Sequence, residues 1–256
     1  MNKADFSLVD LFMDRLSVVI PCYKKEKVVY SALSDIHAEL SKLGRKFEMV
    51  LVDDGSPDGT LSELKRFCKN KENCKVVPLE HNKGKGHAVL DGFRHSRGNT
   101  ILFIDADKDL PPSQIPLFLQ YMDRYNADVI IGSKNHPDSI VKYPLLRRFL
   151  SRCYQILCFI LFEMPISDTQ VGIKLFKKPV LEYAAPRMLV KRYAFDSELL
   201  VLAHYGGFYI RECPVEVKFR GGSGVSSTGV FNMWVDTMAI WYRLKIMHYY
   251  DKIKIG

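Results

Sequence analysis

The 256-residue sequence has no apolar run approaching the ~20 residues a membrane-spanning helix requires, and its longest, around 156–162, falls far short. No spanning helix is expected. Asp5, Asp10 and Asp14 lie where a secretory signal would need a clean apolar stretch, so export is not expected either. The six cysteines include no Cys-x-x-Cys pair. Without a signal peptide, this spacing favours reduced thiols in a cytosol, serving as small buried hydrophobes, over disulfides or a zinc site. Internal repeats, low-complexity segments and Pro/Gly linkers are also missing, which points to one folded unit. A hydrophobic fraction of 47% suits a packed core and excludes disorder. The formal charge of +8 admits nucleic acid, anionic lipid or phosphorylated small molecules as partners. No nucleic-acid motif accompanies the charge, so nucleic acid is not the expected partner.

Short β-rich runs at 16–20, 47–52, 75–79 and 100–104 alternate with segments at 26–43, 60–68 and 86–95 whose apolar residues recur every three or four positions. That alternation predicts a parallel sheet covered by helices. Further runs at 128–132 and 172–176 extend the sheet. Residues 220–229 are polar and Gly/Ser-rich and read as a mobile loop, and 230–250 read as a helix mixing aromatic with basic residues. The expected organisation is a catalytic domain over 1–229 and a C-terminal amphipathic helix over 230–256, packed on that domain or lying at a membrane surface.

In open parallel sheets, ligands bind beyond the carboxyl ends of the strands. Here those ends deliver Pro21-Cys22-Tyr23 with Glu26, Asp53-Asp54-Gly55-Ser56, Asn82-Lys83-Gly84-Lys85-Gly86, and Asp105-Ala106-Asp107. Asp105 and Asp107 end an apolar strand one residue apart, a pattern suited to a hard divalent cation that bridges a diphosphate. The alternative is that Asp109 or Ser113 caps the next helix and the other carboxylates are solvated. The Asp53 turn fits either a loop before a capped helix or an acceptor for the base or ribose of a nucleotide. Lys83 and Lys85 fit a diphosphate or plain solvation, and neither a Walker A nor a Rossmann glycine pattern is present.

These four motifs, in this order, resemble the family 2 glycosyltransferases with the GT-A fold. Gly132-Ser133-Lys134, the stretch 168–176 and 195–200 are similar to the branch making polyprenyl-phosphate sugars, the dolichyl-phosphate glucose and mannose synthases. The resemblance spans roughly 15–228. It implies an α/β fold, a Rossmann-like, mostly parallel sheet flanked by helices with a C-terminal amphipathic helix. The implied reaction is inverting transfer of a hexose from a UDP-glucose or GDP-mannose type of donor, with Mg²⁺ or Mn²⁺. Carried over residue by residue, Pro21, Tyr23, Glu26, Asp53 and Asp54 surround the nucleotide, with Lys85 near its diphosphate. Asp105 and Asp107 take the metal positions and Asp109 is a candidate third ligand. Lys134, Arg147 and Arg220 are implied to bind the acceptor phosphate. Lys134 stands where an arginine is usual, keeping the charge without the bidentate fork.

A lipid phosphate is already anionic and needs cations to hold it, whereas a hydroxyl acceptor needs a general base, for which Asp196 and Glu198 are the candidates. Capping of the helix at 197–205 is the other reading of that pair. The leading expectation is an enzyme acting on a polyprenyl phosphate. The alternatives are a family 2 enzyme with a hydroxyl acceptor on a glycan or polysaccharide, and a non-catalytic nucleotide-sugar binding protein. The apolar stretch 153–164 and the C-terminal helix fit peripheral membrane contact or core packing equally. The expected location is cytoplasmic, with the cytoplasmic face of a membrane and self-association both left open.

Overall fold

Alternation along the strands builds two apolar layers from one sheet. In a computed structural model describing residues 15–141, 145–190, 194–218 and 227–253, with the side chains of 145–150, 227, 228 and 230 outside that description, β1 (Leu16–Cys22), β2 (Phe47–Asp53) and β4 (Thr100–Ile104) form the centre. Successive side chains on a strand point to opposite faces. Val19, Val50, Val52, Ile101 and Phe103 accordingly pack on one side, against Ala88 and Val89 of α3 (Lys85–Arg94). Val18, Ile20, Met49, Leu51 and Leu102 pack on the other, against α1 (Val29–Ser41), α2 (Thr60–Cys68) and α4 (Ile115–Tyr125). Strands covered on both faces read as continuous apolar runs, which is why these segments show little polar alternation. Each fully buried aliphatic side chain contributes about 1.5–3 kcal/mol.

Among the described residues the main sheet has seven strands, in the order β3 (Cys74–Pro78), β2, β1, β4, β7 (Ile173–Lys177), β5 (Val129–Ser133), β8 (Ile210–Pro214). After β3 the chain returns to the other side of β1, so a crevice opens between the carboxyl ends of β1 and β4, where a ligand site belongs. β7 runs antiparallel to both β4 and β5. The sheet is therefore mostly parallel, as expected, with one reversed strand. β8 and a two-stranded ribbon of β6 (Ile140–Val141) and β9 (Glu216–Val217) went unpredicted, being short and only partly buried.

Helix boundaries differ where loops compete for the backbone. α1 starts at Val29, not at 26, because Val28 and Val29 both donate to the Lys25 carbonyl in a turn. Helices α5 (Leu145–Phe162), α6 (Lys178–Ala184) and α7 (Phe195–Tyr205) follow. The final helix α8 spans Ser227–Trp241 and runs into a π-turn at Tyr242–Ile246, so it begins before the expected 230. Ile240, Leu244 and Tyr250 belong to the same apolar cluster as Val19 and Phe176, which packs the C-terminal segment onto the sheet layer. Residues 220–226 of the expected mobile loop lie outside the described residues.

Candidate functional site

A cavity of about 450 Å³ occupies the crevice. Its wall takes Pro21, Cys22 and Tyr23 from the end of β1, Asp105 and Asp107 from the end of β4, and Gly84 and Lys85 from the start of α3. Gln170, Phe195 and Asp196 close the side formed by β7 and α7.

Asp54 builds this wall. Its buried carboxylate accepts hydrogen bonds from Asn82 Nδ2 (2.8 Å), Lys83 N (2.8 Å) and Gly84 N (3.0 Å). Three donors take most of its accepting capacity, so it fixes the loop leading into α3. Gly55 makes that approach feasible: its φ is +62°, and a Cβ there would lie 2.4 Å from the His81 carbonyl carbon. Asp53, paired in register with Cys22, is different: it is buried and off the cavity wall. Its Oδ2 accepts from Ser56 N at 3.3 Å, while Oδ1 is buried without a partner. A buried orphan acceptor costs about 1–3 kcal/mol, which a ligand donor would recover.

Charge is concentrated at the foot of the cavity. Lys85 Nζ lies 2.7 Å from Asp105 Oδ2. Burial works to deprotonate Lys85, but Asp105, Asp196 and Asp107 outweigh it and hold its pKa above the ordinary lysine value. Asp107 is pushed up from the usual carboxylate value, first by burial and then by the charges of Asp105 and Asp109. Asp109 is off the cavity wall, with its N–H donated to Asp107 Oδ1 at 3.2 Å. No group of three or more His, Cys, Asp or Glu among the described residues is arranged to hold a cation. Magnesium-type ions are commonly held by one or two carboxylates, with substrate phosphates and water completing the shell. Asp105 and Asp107, hard oxygen donors in an acidic cluster where Asp105 already holds a cationic group, fit that pattern. Gly172 is needed for the placement of Asp105, since a Cβ there would lie 2.1 Å from Asp105 Oδ2.

Asp196 lines the cavity and is ion-paired with the buried Lys174, Nζ to Oδ1 2.7 Å. Burial pulls Lys174 below the ordinary lysine value even though Asp196 opposes it. Lys174 also donates to the Val171 carbonyl at 2.6 Å.

Other predicted residues lie elsewhere. Glu26 is absent from the wall and instead accepts Gly59 N at 3.2 Å, ahead of α2. Glu198 is fully buried, accepting Leu189 N (3.0 Å), Val190 N (2.7 Å) and the Tyr250 hydroxyl (2.7 Å). It is spent on structure. Lys134 is off the wall too, its ammonium 3.2 Å from the buried Asp168. The Arg147 side chain and all of Arg220 lie outside the described residues. Among the residues missed were Lys25, Lys174 and Phe195. A lysine inside the apolar run Ile173–Lys177 was a legible signal for Lys174, because a buried ammonium requires a carboxylate partner.

The family model described as glycosyl transferase family 2 matches residues 17–184. A dolichyl-phosphate beta-glucosyltransferase of Saccharomyces cerevisiae is 32% identical over 227 residues, 81% of this chain and 68% of that protein. Another of the same name in Trichomonas vaginalis is 30% identical over 247 residues, covering 91% and 73%. Among solved structures, glucosyl-3-phosphoglycerate synthase from Mycobacterium tuberculosis, in complex with UDP, superimposes with a TM-score of 0.70 at 15% identity, covering 94% of this chain and 86% of that one. The same enzyme in complex with Mn²⁺, UDP-glucose and phosphoglyceric acid gives 0.70 at 14% identity, covering 94% and 85%. At these identities the structural matches establish a shared fold.

Proposed function

The chain belongs to glycosyl transferase family 2, and from that premise we propose that it transfers a glucosyl group from a nucleoside diphosphate sugar, UDP-glucose, to the phosphate of a polyprenyl lipid. The observation carrying this reading is the cavity at the β1/β4 crevice, with Asp54, Lys85, Asp105 and Asp107 on its wall, in a chain at least 30% identical to proteins named for that activity.

In the mechanism, Asp53 Oδ1 accepts from the base or ribose of the donor. Asp105 and Asp107 would hold Mg²⁺ or Mn²⁺, which supplies positive charge against the departing diphosphate. Lys85 adds a second positive charge at the same place, where charge stabilisation dominates transfer energetics. Tyr23 and Phe195 supply apolar wall to exclude water from the sugar. An anionic phosphate attacks the anomeric carbon without a base. This agrees with the state of the two base candidates: Glu198 is buried, off the cavity wall and engaged by three donors, and Asp196 is ion-paired with Lys174. The hydroxyl-acceptor alternative is thereby weakened.

A lipid acceptor brings the protein to a membrane surface. No helix among the described residues is long and apolar enough to cross a membrane. Peripheral contact is supported by α5 and α8, which pack together and leave exposed Ile156, Phe159 and Ile160 on the one and Phe231, Trp234, Val235 and Met238 on the other. Apolar residues at such helical spacing, with Lys245 nearby in the chain, suit the interface of an anionic leaflet.

The test is a donor panel assayed with a short polyprenyl phosphate and Mn²⁺. UDP-glucose is expected to give a polyprenyl-phosphate glucose, and Arg147→Ala is expected to lower acceptor efficiency about ten- to a hundredfold, the worth of one charge-assisted contact. Failure of every donor with every polyprenyl phosphate would reject the reading.

A further inference from the structure

Where α5, α7 and α8 meet the loop before β7, the buried hydroxyls of Tyr154, Thr169, Ser197 and Thr237 lie in contact beside an apolar cluster. Buried polar groups of this kind persist only when each is paired. Thr237 Oγ1 donates its one proton to the Met233 carbonyl at 2.7 Å. Toward Tyr154, 2.9 Å away, it can therefore only accept, and the Tyr154 proton is spent on that contact. Tyr154 in turn can only accept from Ser197, also at 2.9 Å. Ser197 lies 3.3 Å from Thr169 Oγ1 as well, and whichever of the two takes its proton, none remains. Toward its other neighbour, the Gln170 carboxamide, Ser197 is an acceptor.

This order of protons fixes a side chain on the cavity wall. The Gln170 atom facing Ser197 at 3.2 Å must be Nε2, which also donates to Thr169 Oγ1 at 3.3 Å. The backbone beneath it is held too, since Gln170 N donates to the buried Asp168 Oδ1 at 3.0 Å. Gln170 Oε1 accepts from no other described residue and is not sealed from solvent. A carbonyl oxygen is thus left to the cavity, with both amide protons committed elsewhere.

Position in the crevice selects what that oxygen meets. β4 separates β1 from β7 in the sheet, so Gln170 stands across the cavity from Pro21 and Tyr23. Gly172, two residues on, accepts Asp105 N at 3.1 Å, which sets Gln170 beside the diphosphate position. A diphosphate has no proton to donate at neutral pH, whereas a hexose carries a series of hydroxyl donors.

We propose that Gln170 reads the sugar: its Oε1 accepts a hydrogen bond from one hydroxyl of the hexose, and Ser197, oriented through Tyr154 and Thr237, is the positioning residue that keeps that oxygen toward the cavity. The inference rests on the nucleotide-sugar reading above.

The experiment is calorimetry on the full chain with Mn²⁺, comparing UDP, UDP-glucose and the 2-, 3-, 4- and 6-deoxy analogues of UDP-glucose, with no acceptor present. Gln170→Ala is expected to weaken UDP-glucose about two- to tenfold, the net worth of one neutral hydrogen bond, and to leave UDP unchanged. One deoxy analogue is expected to bind wild type more weakly by the same factor and to bind Gln170→Ala as well as UDP-glucose does. Ser197→Ala, which frees the carboxamide, is expected to narrow the wild-type preference for UDP-glucose over that analogue, again with UDP unchanged. Thermal melting checks that both variants fold. Failure of wild type to bind UDP-glucose would reject the donor reading and this inference with it. Binding by wild type, with Gln170→Ala discriminating among the analogues as wild type does or losing UDP as much as UDP-glucose, would overturn this inference alone. Unchanged discrimination in Ser197→Ala would overturn the positioning role of Ser197.

Discussion

The Lys85 ammonium bridges both oxygens of the Asp105 carboxylate, 2.5 Å from Oδ1 and 2.7 Å from Oδ2. A divalent cation entering the site must share or displace that contact, and a donor diphosphate gives the ammonium somewhere else to go. Metal and nucleotide are therefore expected to bind with positive coupling. In Lys85→Met, Mn²⁺ should bind more tightly than to wild type when nucleotide is absent, while UDP binds more weakly. Electron paramagnetic resonance of unbound Mn²⁺ measures the first, calorimetry the second. Mn²⁺ affinity unchanged or weakened in Lys85→Met would show that the ion pair does not compete with metal. Asp107→Asn, which keeps shape and removes charge, should cost transfer roughly 10²–10³-fold without loss of fold.

Asp53 leaves one buried oxygen unpaired. Asp53→Ala should weaken nucleotide binding about tenfold or more whether or not metal is present, because the lost contact is to the base or ribose. Calorimetry with UDP decides, and an unchanged dissociation constant would make the Asp53 turn purely architectural.

Glu198 ties the backbone at Leu189 and Val190 to Tyr250 of the C-terminal segment. Glu198→Ala leaves the buried Val190 N–H and the part-buried Leu189 N–H without their acceptor and should cost about 2–6 kcal/mol of stability, at about 1–3 kcal/mol for each unmet donor. Glu198→Gln keeps an acceptor for those N–H groups and should be mild. Burial raises the Glu198 pKa above its ordinary 4.5, against the hydrogen bonds and Arg243 that favour the charged form. The folded state therefore binds this proton more tightly than the unfolded state. The resulting stabilisation is complete below 4.5 and is lost as pH rises through the raised folded value. Denaturant titrations from acid to neutral pH should show wild type losing stability relative to Glu198→Gln across that interval, and parallel curves would refute it.

Exposed Phe231 and Trp234 on α8 lie on the surface proposed to meet a membrane. Replacing both with serine should reduce co-sedimentation with anionic phosphatidylcholine/phosphatidylserine vesicles several-fold while leaving turnover of a detergent-soluble short-chain acceptor close to wild type. Equal sedimentation of the double variant and wild type would remove this face from consideration.

Much of the fold was legible in linear sequence. The apolar runs of β1, β2 and β4 and the helical spacing of α2 and α3 show in the chain because burial on both sheet faces leaves a local pattern of apolar residues. So do the polar residues Tyr23, Asp54, Lys85, Asp105 and Asp107 that line the crevice, since strand ends in a parallel sheet converge on one edge. The reversed direction of β7 was not legible, because an apolar run has the same composition in either direction. Nor was the short β8, whose place is set by pairing with β5.

What the sequence determined by itself was therefore the two-layer burial pattern, the order of β and α segments, and the set of polar groups delivered to the crevice. Only the tertiary structure decided how those groups divide their work. Asp53 and Asp54 are neighbours of identical chemistry, yet the Asp54 carboxylate is held by Asn82, Lys83 and Gly84 while that of Asp53 keeps an orphan oxygen. Asp196 and Glu198 are two residues apart on one helix, yet one lines the cavity against Lys174 and the other is buried beneath Leu189 and Val190. The reason is physical: a carboxylate's role is set by the donors, charges and solvent around it, and those come from segments distant in the chain, which no local pattern encodes.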